Sequence, residues 1–265
     1  MRHMMLDCYG APNFNLDNNI GIYNLLNGIA AMANLEPIAP PTLVPYYYCD
    51  DPEDVGISAY LFLRGGHITI HTFSKRECYF VDIMSPDFFN AESVYKYLEV
   101  NLPFNRAVSN YCVNERRVND TENAEVSDTD FGPHLIGRIV PKGEITLDSV
   151  FSALERLALA ADMQPISRAN VIKDRIVNPS FIQGIIVIAQ SHISIHFDIA
   201  ENLIYFDLFS CAYFDFSKVE KIVKDLLGDP ETIRLVCRGD KYALSRNSNV
   251  DSSVALAGKR WQKNI

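Results

Sequence analysis

Two short segments, HITIH (67–71) and HISIH (192–196), each place two histidines four residues apart. On a helix this spacing would bring both imidazoles to one metal ion, but the alternating isoleucines favour a strand. In a strand the two histidines share a face, and their α-carbons lie roughly 13 Å apart, too far to chelate one ion. We therefore predict no metal here. The polar face of an amphipathic strand is the plain alternative to a catalytic role.

The two histidine segments belong to a longer internal repeat. The matched pairs, each 125 residues apart, are His67 with His192, His71 with His196, Asp82 with Asp207, and Ser85 with Ser210. Agreement in type, order and spacing over about seventy residues predicts a duplicated domain rather than a solenoid. The segment 114–130 is polar and charged, which indicates a solvated linker. We therefore predict one repeat at 1–113 and a second at 131–265.

Each copy shows the same order of elements: a strand, a helix, a strand pair, a further strand, a second helix and a last strand. The first copy has them at 3–9, 16–33, 57–63, 66–72, 78–84, 91–101 and 106–113, and the second at 134–140, 147–162, 182–188, 191–197, 203–209, 216–227 and 232–238. Helices on one face of a mostly antiparallel sheet leave the other face to be covered, and two such halves can cover each other. The sequence therefore predicts an α+β protein, a four-layer α/β/β/α sandwich.

The second histidine segment lies within a longer recognisable stretch. QSHISIHFDIAENLIYFDLFSC (190–211) resembles the signature of the S-adenosylmethionine decarboxylases, which carry a Glu-Ser-His…Ile-His…Asp-Leu-Phe-Thr-Cys segment. The first copy matches this signature at 63–85, and the opening RHMMLDCY (2–9) resembles the N-terminal strand of the family. The resemblance covers most of both repeats.

The resemblance implies a pyruvoyl enzyme. In the family, an internal serine attacks the preceding carbonyl, and breakdown of the resulting ester leaves a pyruvoyl group at the start of the downstream chain. This group forms a Schiff base with a substrate amine and accepts electrons as carbon dioxide leaves. A serine and a histidine assist the cleavage, and a cysteine donates a proton during turnover. The implied cofactor is thus made from the chain itself, without metal.

The residues for cleavage and turnover are complete in the second copy only. Ser191 stands at the cleavage position, and Gln190 precedes it in place of the usual glutamate. Cys211 takes the place of the proton-donating cysteine. The first copy has Gly66 and Pro86 where the second has the serine and the cysteine, so it cannot form a pyruvoyl group.

The processing pair is complete in the first copy only. The processing serine of the family lies eight residues before the cleavage position, where the first copy has Ser58, and the processing histidine corresponds to His71. The second copy has Gln183 and His196 at these positions. In the family, the site lies between two half-units that supply the two sets of residues. The complementary losses therefore leave one complete set and predict an active enzyme.

The resemblance implies cleavage into a β chain of residues 1–190 and an α chain of residues 191–265. We expect a pyruvoyl-dependent carboxy-lyase of polyamine (spermidine) biosynthesis, with S-adenosylmethionine as substrate. The other class of function is a non-catalytic partner that pairs with an active relative. A chain that never cleaves would favour that alternative.

The substrate region departs from the family pattern. Where the family has a glutamate that binds the ribose hydroxyls, this chain has Lys75, a donor only, and Glu77 lies nearby. An acidic run at 50–54 contains Asp51 and follows Tyr48. This run is either a solvated loop or a site for a guanidinium or ammonium group. Arginine or ornithine is therefore the alternative substrate.

Composition limits the partners and the location. The chain has 24 Lys and Arg against 33 Asp and Glu, a net charge of −9, which argues against nucleic acid and anionic membranes. No apolar stretch reaches the length of a membrane span, and Asp7 interrupts any signal peptide. The six cysteines form no CxxC pair. We expect a reduced, soluble cytoplasmic protein, and both a monomer and a homodimer stay open.

Overall fold

The strands form two antiparallel sheets of six strands each. The computed structural model describes residues 1–48, 52–117, 124–125, 127, 129–189 and 191–244. Contacts divide them into a first unit, containing Met1–Glu115, Thr129–Phe131 and the segment that begins at Gly239, and a second unit, containing Arg116–Asp128 and Gly132–Arg238. Among the helices in the described ranges, none is both long and apolar enough to cross a membrane.

The first unit combines one sheet with three helices. Its strands are β1 (Arg2–Tyr9), β2 (Thr42–Tyr46), β3 (Gly56–Leu63), β4 (Gly66–Phe73), β5 (Cys78–Ser85) and β6 (Asn110–Glu115). Its helices are α1 (Asn13–Leu16), α2 (Asn19–Ala33) and α3 (Ala91–Asn101). The strand order is β2–β3–β4–β5–β1–β6. Leu26 of α2 belongs to the same buried core as Ile68 and Ile70 of β4, so one face of the sheet packs against helices.

The second unit repeats this topology. Its strands are β7 (Gly132–Pro141), β8 (Asn170–Lys173), β9 (Phe181–Ile188), β10 (Ser191–Asp198), β11 (Leu203–Phe209) and β12 (Gly228–Arg238). Its helices are α4 (Leu147–Ala160) and α5 (Phe216–Leu226). The strand order, written from the matching edge, is β8–β9–β10–β11–β7–β12. Each strand takes the place of its counterpart in the first sheet, from β8 for β2 to β12 for β6. The prediction of an α+β protein built from two sheet-plus-helix halves is confirmed.

Some helices and strands differ from the predicted ones. The sequence predicted one helix over 16–33, but Asn18 accepts a hydrogen bond from the backbone N–H of Gly21 and so starts a new helix there. The sequence also missed β2 and β8, the short strands at one edge of each sheet. Strand β2 contains Pro45, which lacks an N–H and weakens the strand pattern.

Alternation in β4 separates apolar from polar side chains. Ile68 and Ile70 lie in the core with the helices, whereas His67, Thr69 and His71 lie on the opposite face. All five side chains are buried. The prediction that this histidine segment is a strand is confirmed, and β10 repeats the alternation.

Residues 239–244 belong to the first unit although they follow the last strand of the second. The backbone N–H of Gly239 donates to Oδ2 of Asp7 at 2.8 Å, and that of Asp240 donates to the hydroxyl of Tyr9 at 2.6 Å. Burial, followed by the charge of Asp7, raises the pKa of the Tyr9 hydroxyl well above its ordinary value. This tyrosine therefore stays neutral. Its hydroxyl and the carboxylate of Asp7 bind the backbone of the segment to β1.

Replacing Gly239 with alanine is expected to lower the free energy of unfolding by about 2–4 kcal/mol. The residue has φ +66°, and an added Cβ would lie 2.4 Å from the Tyr9 hydroxyl and 2.7 Å from Cβ of Phe131. The matched control is Gly143→Ala, where an added Cβ meets nothing within 4 Å. Urea unfolding of both variants checks the prediction, and equal midpoints would contradict it.

Candidate active site

Strand β10 begins at the serine predicted to be the cleavage residue. Ser191 pairs with Ile188 of β9, so only residues 189 and 190 lie between the paired positions of the hairpin. The side chain of Ser191 is buried, and its Oγ accepts a hydrogen bond from the backbone N–H of Cys211 at 3.1 Å. The predicted cleavage residue and the predicted proton donor are therefore neighbours within the second unit.

Cys211 offers two different groups to this hairpin. It lies two positions beyond the end of β11, and its Sγ lies 3.9 Å from the carbonyl oxygen of Ala189. Its backbone N–H can stabilise the deprotonated form of the Ser191 hydroxyl, which is the stronger nucleophile. Its half-buried thiol places a transferable proton beside the same chain segment.

The first unit has neither group at the corresponding positions. Gly66 begins β4, and a Cβ added there would lie 1.8 Å from the carbonyl oxygen of Met84. A serine therefore cannot be accommodated without a shift of the backbone. Pro86 has no N–H, so it cannot make the hydrogen bond that Cys211 makes in the second unit. The first copy therefore lacks both the predicted nucleophile and the N–H that would bond to it.

The first unit instead holds the predicted processing pair. Ser58 of β3 and His71 of β4 are directly opposite each other in the antiparallel ladder. The hydroxyl oxygen of Ser58 lies 2.9 Å from Nδ1 of His71, and both side chains are buried. A hydroxyl can donate and accept, and an imidazole nitrogen can take up or release a proton. This pair is therefore competent to transfer a proton.

The corresponding pair in the second unit has a different chemistry. Gln183 of β9 and His196 of β10 are again opposite each other, with Oε1 of the glutamine 3.0 Å from Nδ1 of the histidine. An amide oxygen only accepts, so the histidine keeps its proton on Nδ1. The second unit therefore has an amide–imidazole hydrogen bond where the first unit has a hydroxyl–imidazole contact.

The predicted substrate residues lie on exposed parts of the first unit. Lys75 is in a 3₁₀ turn between β4 and β5, and Glu77 follows it in a left-handed conformation at φ 51°; both are exposed. The side chain of Tyr48 is 91% exposed, just beyond β2. The predicted Asp51 and Gln190 lie outside the described residues.

Sequence reasoning missed an ion pair that holds part of the acidic run. Arg76 is buried, and its guanidinium donates to Oδ1 of Asp54 at 2.9 and 3.1 Å and to Oε2 of Glu53 at 3.2 Å. A buried cation therefore compensates these two carboxylates. The alternative of a basic substrate depended on Lys75 and on the acidity of this run, and the ion pair neutralises two carboxylates of the run. The arginine is separated by more than twenty residues from its partners, so no local pattern reveals the contact.

The sequence of this chain is similar to that of a known protein family. A sequence profile of the S-adenosylmethionine decarboxylase family matches residues 2–114 and 146–236. Among solved structures, the chain is similar to the adenosylmethionine decarboxylase from Aquifex aeolicus VF5, with 25% identity and a TM-score of 0.37. That match covers 47% of this chain and 96% of the other chain. A search of the curated proteins finds no match.

The two units share one α+β topology, and the second has a serine at the hairpin position where the first has Gly66. The family profile spans both repeats and more than half of the chain. The chain belongs to the S-adenosylmethionine decarboxylase family. The resemblance drawn from the histidine segments is thereby confirmed.

Proposed function

We propose that this chain is a self-processing, pyruvoyl-dependent decarboxylase that acts on S-adenosylmethionine in polyamine synthesis. The observation that carries the proposal is the hydrogen bond from the N–H of Cys211 to the Oγ of Ser191. It occurs in the one copy that has both residues. The proton-competent contact between Ser58 and His71 in the other copy supports it.

Self-cleavage begins when Oγ of Ser191 attacks the carbonyl carbon of residue 190. The C–N bond between residues 190 and 191 breaks, an ester forms, and the freed amino group takes up the proton that the hydroxyl loses. Loss of the Cα proton of residue 191 then breaks the bond from Cβ to the ester oxygen and leaves a carboxylate on residue 190. The resulting enamine takes up a proton at Cβ to become an imine, and water hydrolyses this imine, which releases ammonia and leaves the pyruvoyl group on the α chain.

The other residues of the proposal stabilise charge or transfer protons during cleavage. The N–H of Cys211 stabilises the charge on the attacking oxygen, since it already donates to that oxygen. The pair of Ser58 and His71 transfers protons during cleavage. The two product chains stay together because the β9–β10 and β7–β11 ladders join residues on either side of the cleaved bond.

Turnover uses the same hairpin. When present, the pyruvoyl group supplies the electron sink for loss of carbon dioxide. The thiol of Cys211 then delivers a proton to the carbon that carbon dioxide has left, and its position 3.9 Å from the carbonyl of Ala189 supports this role.

The exposed turn of the first unit is proposed to contact the substrate. Lys75 has donors only, so it cannot accept hydrogen bonds from the two ribose hydroxyls of S-adenosylmethionine. The carboxylate of Glu77, two residues on, can accept both. Tyr48 offers an exposed aromatic face, and Asp51 completes the proposed set from the acidic run.

The variant Cys211→Ala is expected to self-cleave normally but to release carbon dioxide about 10²-fold more slowly. Alanine keeps the backbone N–H that bonds Ser191, while the thiol proton is lost. The exposed Cys112→Ala is the matched control and is expected to match the wild type. The assay compares carbon dioxide release from S-adenosylmethionine, arginine and ornithine, with release expected from the first.

Normal turnover by Cys211→Ala would remove the proton-donor assignment. Release from arginine or ornithine alone would overturn the proposed substrate. A wild-type chain that neither cleaves nor releases carbon dioxide would favour the non-catalytic partner instead.

A further inference from the structure

A buried polar network crosses the sheet of the second unit. A side-chain oxygen of Asp207, on β11, lies 3.3 Å from Nε2 of His134 on β7 and 3.0 Å from Nε2 of His192 on β10. Ser194, also on β10, donates its hydroxyl hydrogen to the other oxygen of Asp207. Arg238, the last residue of β12, has Nη1 3.1 Å from Nδ1 of His134. All of these side chains are buried, and they join four adjacent strands.

The donors and acceptors of this network are assigned by chemistry. A guanidinium only donates, so Arg238 donates to Nδ1 of His134, and that histidine holds its proton on Nε2 and donates to Asp207. His192 donates from Nε2 to the same carboxylate oxygen, because a carboxylate only accepts. Asp207 thus receives three donors in a buried setting, where such bonds are strong.

The network is anchored beside the reacting residues. His192 directly follows Ser191, and Asp207 precedes Cys211 by four positions on the adjoining strand. The ladder pairs His192 with Phe209 and Ser194 with Asp207, so both side-chain bonds connect β10 to β11 in this register. The same register determines whether the N–H of Cys211 meets the Oγ of Ser191. A shift of either strand end would break that bond.

The first unit has equivalent positions, and they differ in one hydroxyl bond. Asp82 corresponds to Asp207, and its Oδ1 lies 3.3 Å from Nε2 of His3, the counterpart of His134. Thr69 corresponds to Ser194, but its buried hydroxyl oxygen has no hydrogen-bond partner among the described residues. The hydroxyl bond that Ser194 makes to Asp207 therefore has no counterpart at Thr69 among the described residues.

We propose that Asp207 is a positioning residue for self-cleavage. Its bonds to His192 and Ser194 hold the start of β10 against β11, so that the oxygen of Ser191 stays on the N–H of Cys211. In this proposal Asp207 acts through these two neighbours and not as an acid, base or nucleophile. This proposal rests on the proposed function, because it concerns the rate at which the same serine cleaves the chain.

The test follows precursor cleavage over time by intact mass under denaturing conditions. Asp207→Asn is expected to cleave roughly tenfold more slowly or worse, because misplacement of a reacting atom is costly. Asp82→Asn, the matched control in the first unit, is expected to cleave at the wild-type rate. The second pair is His192→Gln, which keeps an N–H donor for Asp207, and His192→Leu, which fills a similar space without one. The glutamine variant should cleave faster than the leucine variant.

A difference in cleavage rate between His192→Gln and His192→Leu shows that the hydrogen bond to Asp207 matters, and not only the filling of the core. This comparison tests the proposal even if Asp207→Asn does not fold. Equal rates for the two His192 variants would overturn the proposal. So would a folded Asp207→Asn protein, judged by circular dichroism, that cleaves at the wild-type rate. If the wild type itself stays whole, both this proposal and the proposed function fail. Cleavage of the wild type with an unaffected Asp207→Asn variant overturns only this one.

Discussion

The Ser191→Ala variant is expected to remain a single chain of 29.9 kDa, with no carbon dioxide release above background. Alanine removes the side-chain oxygen of residue 191 that is proposed to attack the preceding carbonyl, and the pyruvoyl group cannot form without it. The variant should still fold, because alanine is smaller than serine and fits the same buried position. Loss of the one hydrogen bond that Ser191 accepts lowers the free energy of unfolding by about 1 kcal/mol. The effect on activity should therefore be complete while the fold persists.

Intact mass and circular dichroism measured together check this prediction. The control is Ser152→Ala, at an exposed position of α4, which should cleave like the wild type. A Ser191→Ala protein that still divides between residues 190 and 191 would show that another nucleophile cleaves the chain.

The His71→Ala variant is expected to slow cleavage by about 10²-fold or more, the usual size of a lost proton-transfer group. His71 contacts the hydroxyl of Ser58, and the pair can transfer a proton. His196→Ala is the matched control because it removes the equivalent histidine, whose Nδ1 is occupied by the amide oxygen of Gln183. The control should lose some stability, as any buried histidine would, but keep most of its cleavage rate.

Rates of precursor loss for the two histidine variants, corrected for the folded fraction, distinguish these roles. Unchanged cleavage by His71→Ala would contradict the assignment of a processing pair to the first copy. A block by His196→Ala instead would move the processing histidine to the second copy. Ser58→Ala should follow His71→Ala, since the two side chains form one contact.

The elements of the fold could be predicted because their patterns are local. Alternating isoleucines and histidines in 67–71 revealed a strand, and its repetition at 192–196 revealed the duplication. The short edge strands β2 and β8 carry too little alternation for such a prediction. The last strand of the first copy was expected from 106, but it begins at Asn110 because the preceding residues form a turn.

The residues of the site could be predicted in part. Ser58 and His71 were predicted as a pair from the resemblance to the family, and the register of the β3–β4 hairpin places them opposite each other. The bond between Cys211 and Ser191 depends on a backbone N–H, and no pattern of side chains reveals it. The bond of Arg238 to His134 joins residues more than one hundred positions apart. Such contacts depend on the order of strands in the sheet, which the repeat alone did not determine.

The most direct test of the central claim is the intact mass of freshly purified wild-type protein under denaturing conditions. The account predicts two chains, a β chain of residues 1–190 and an α chain of residues 191–265. The N-terminus of the α chain is expected to carry a pyruvoyl group in place of a free amino group. A single stable species of 29.9 kDa would contradict it.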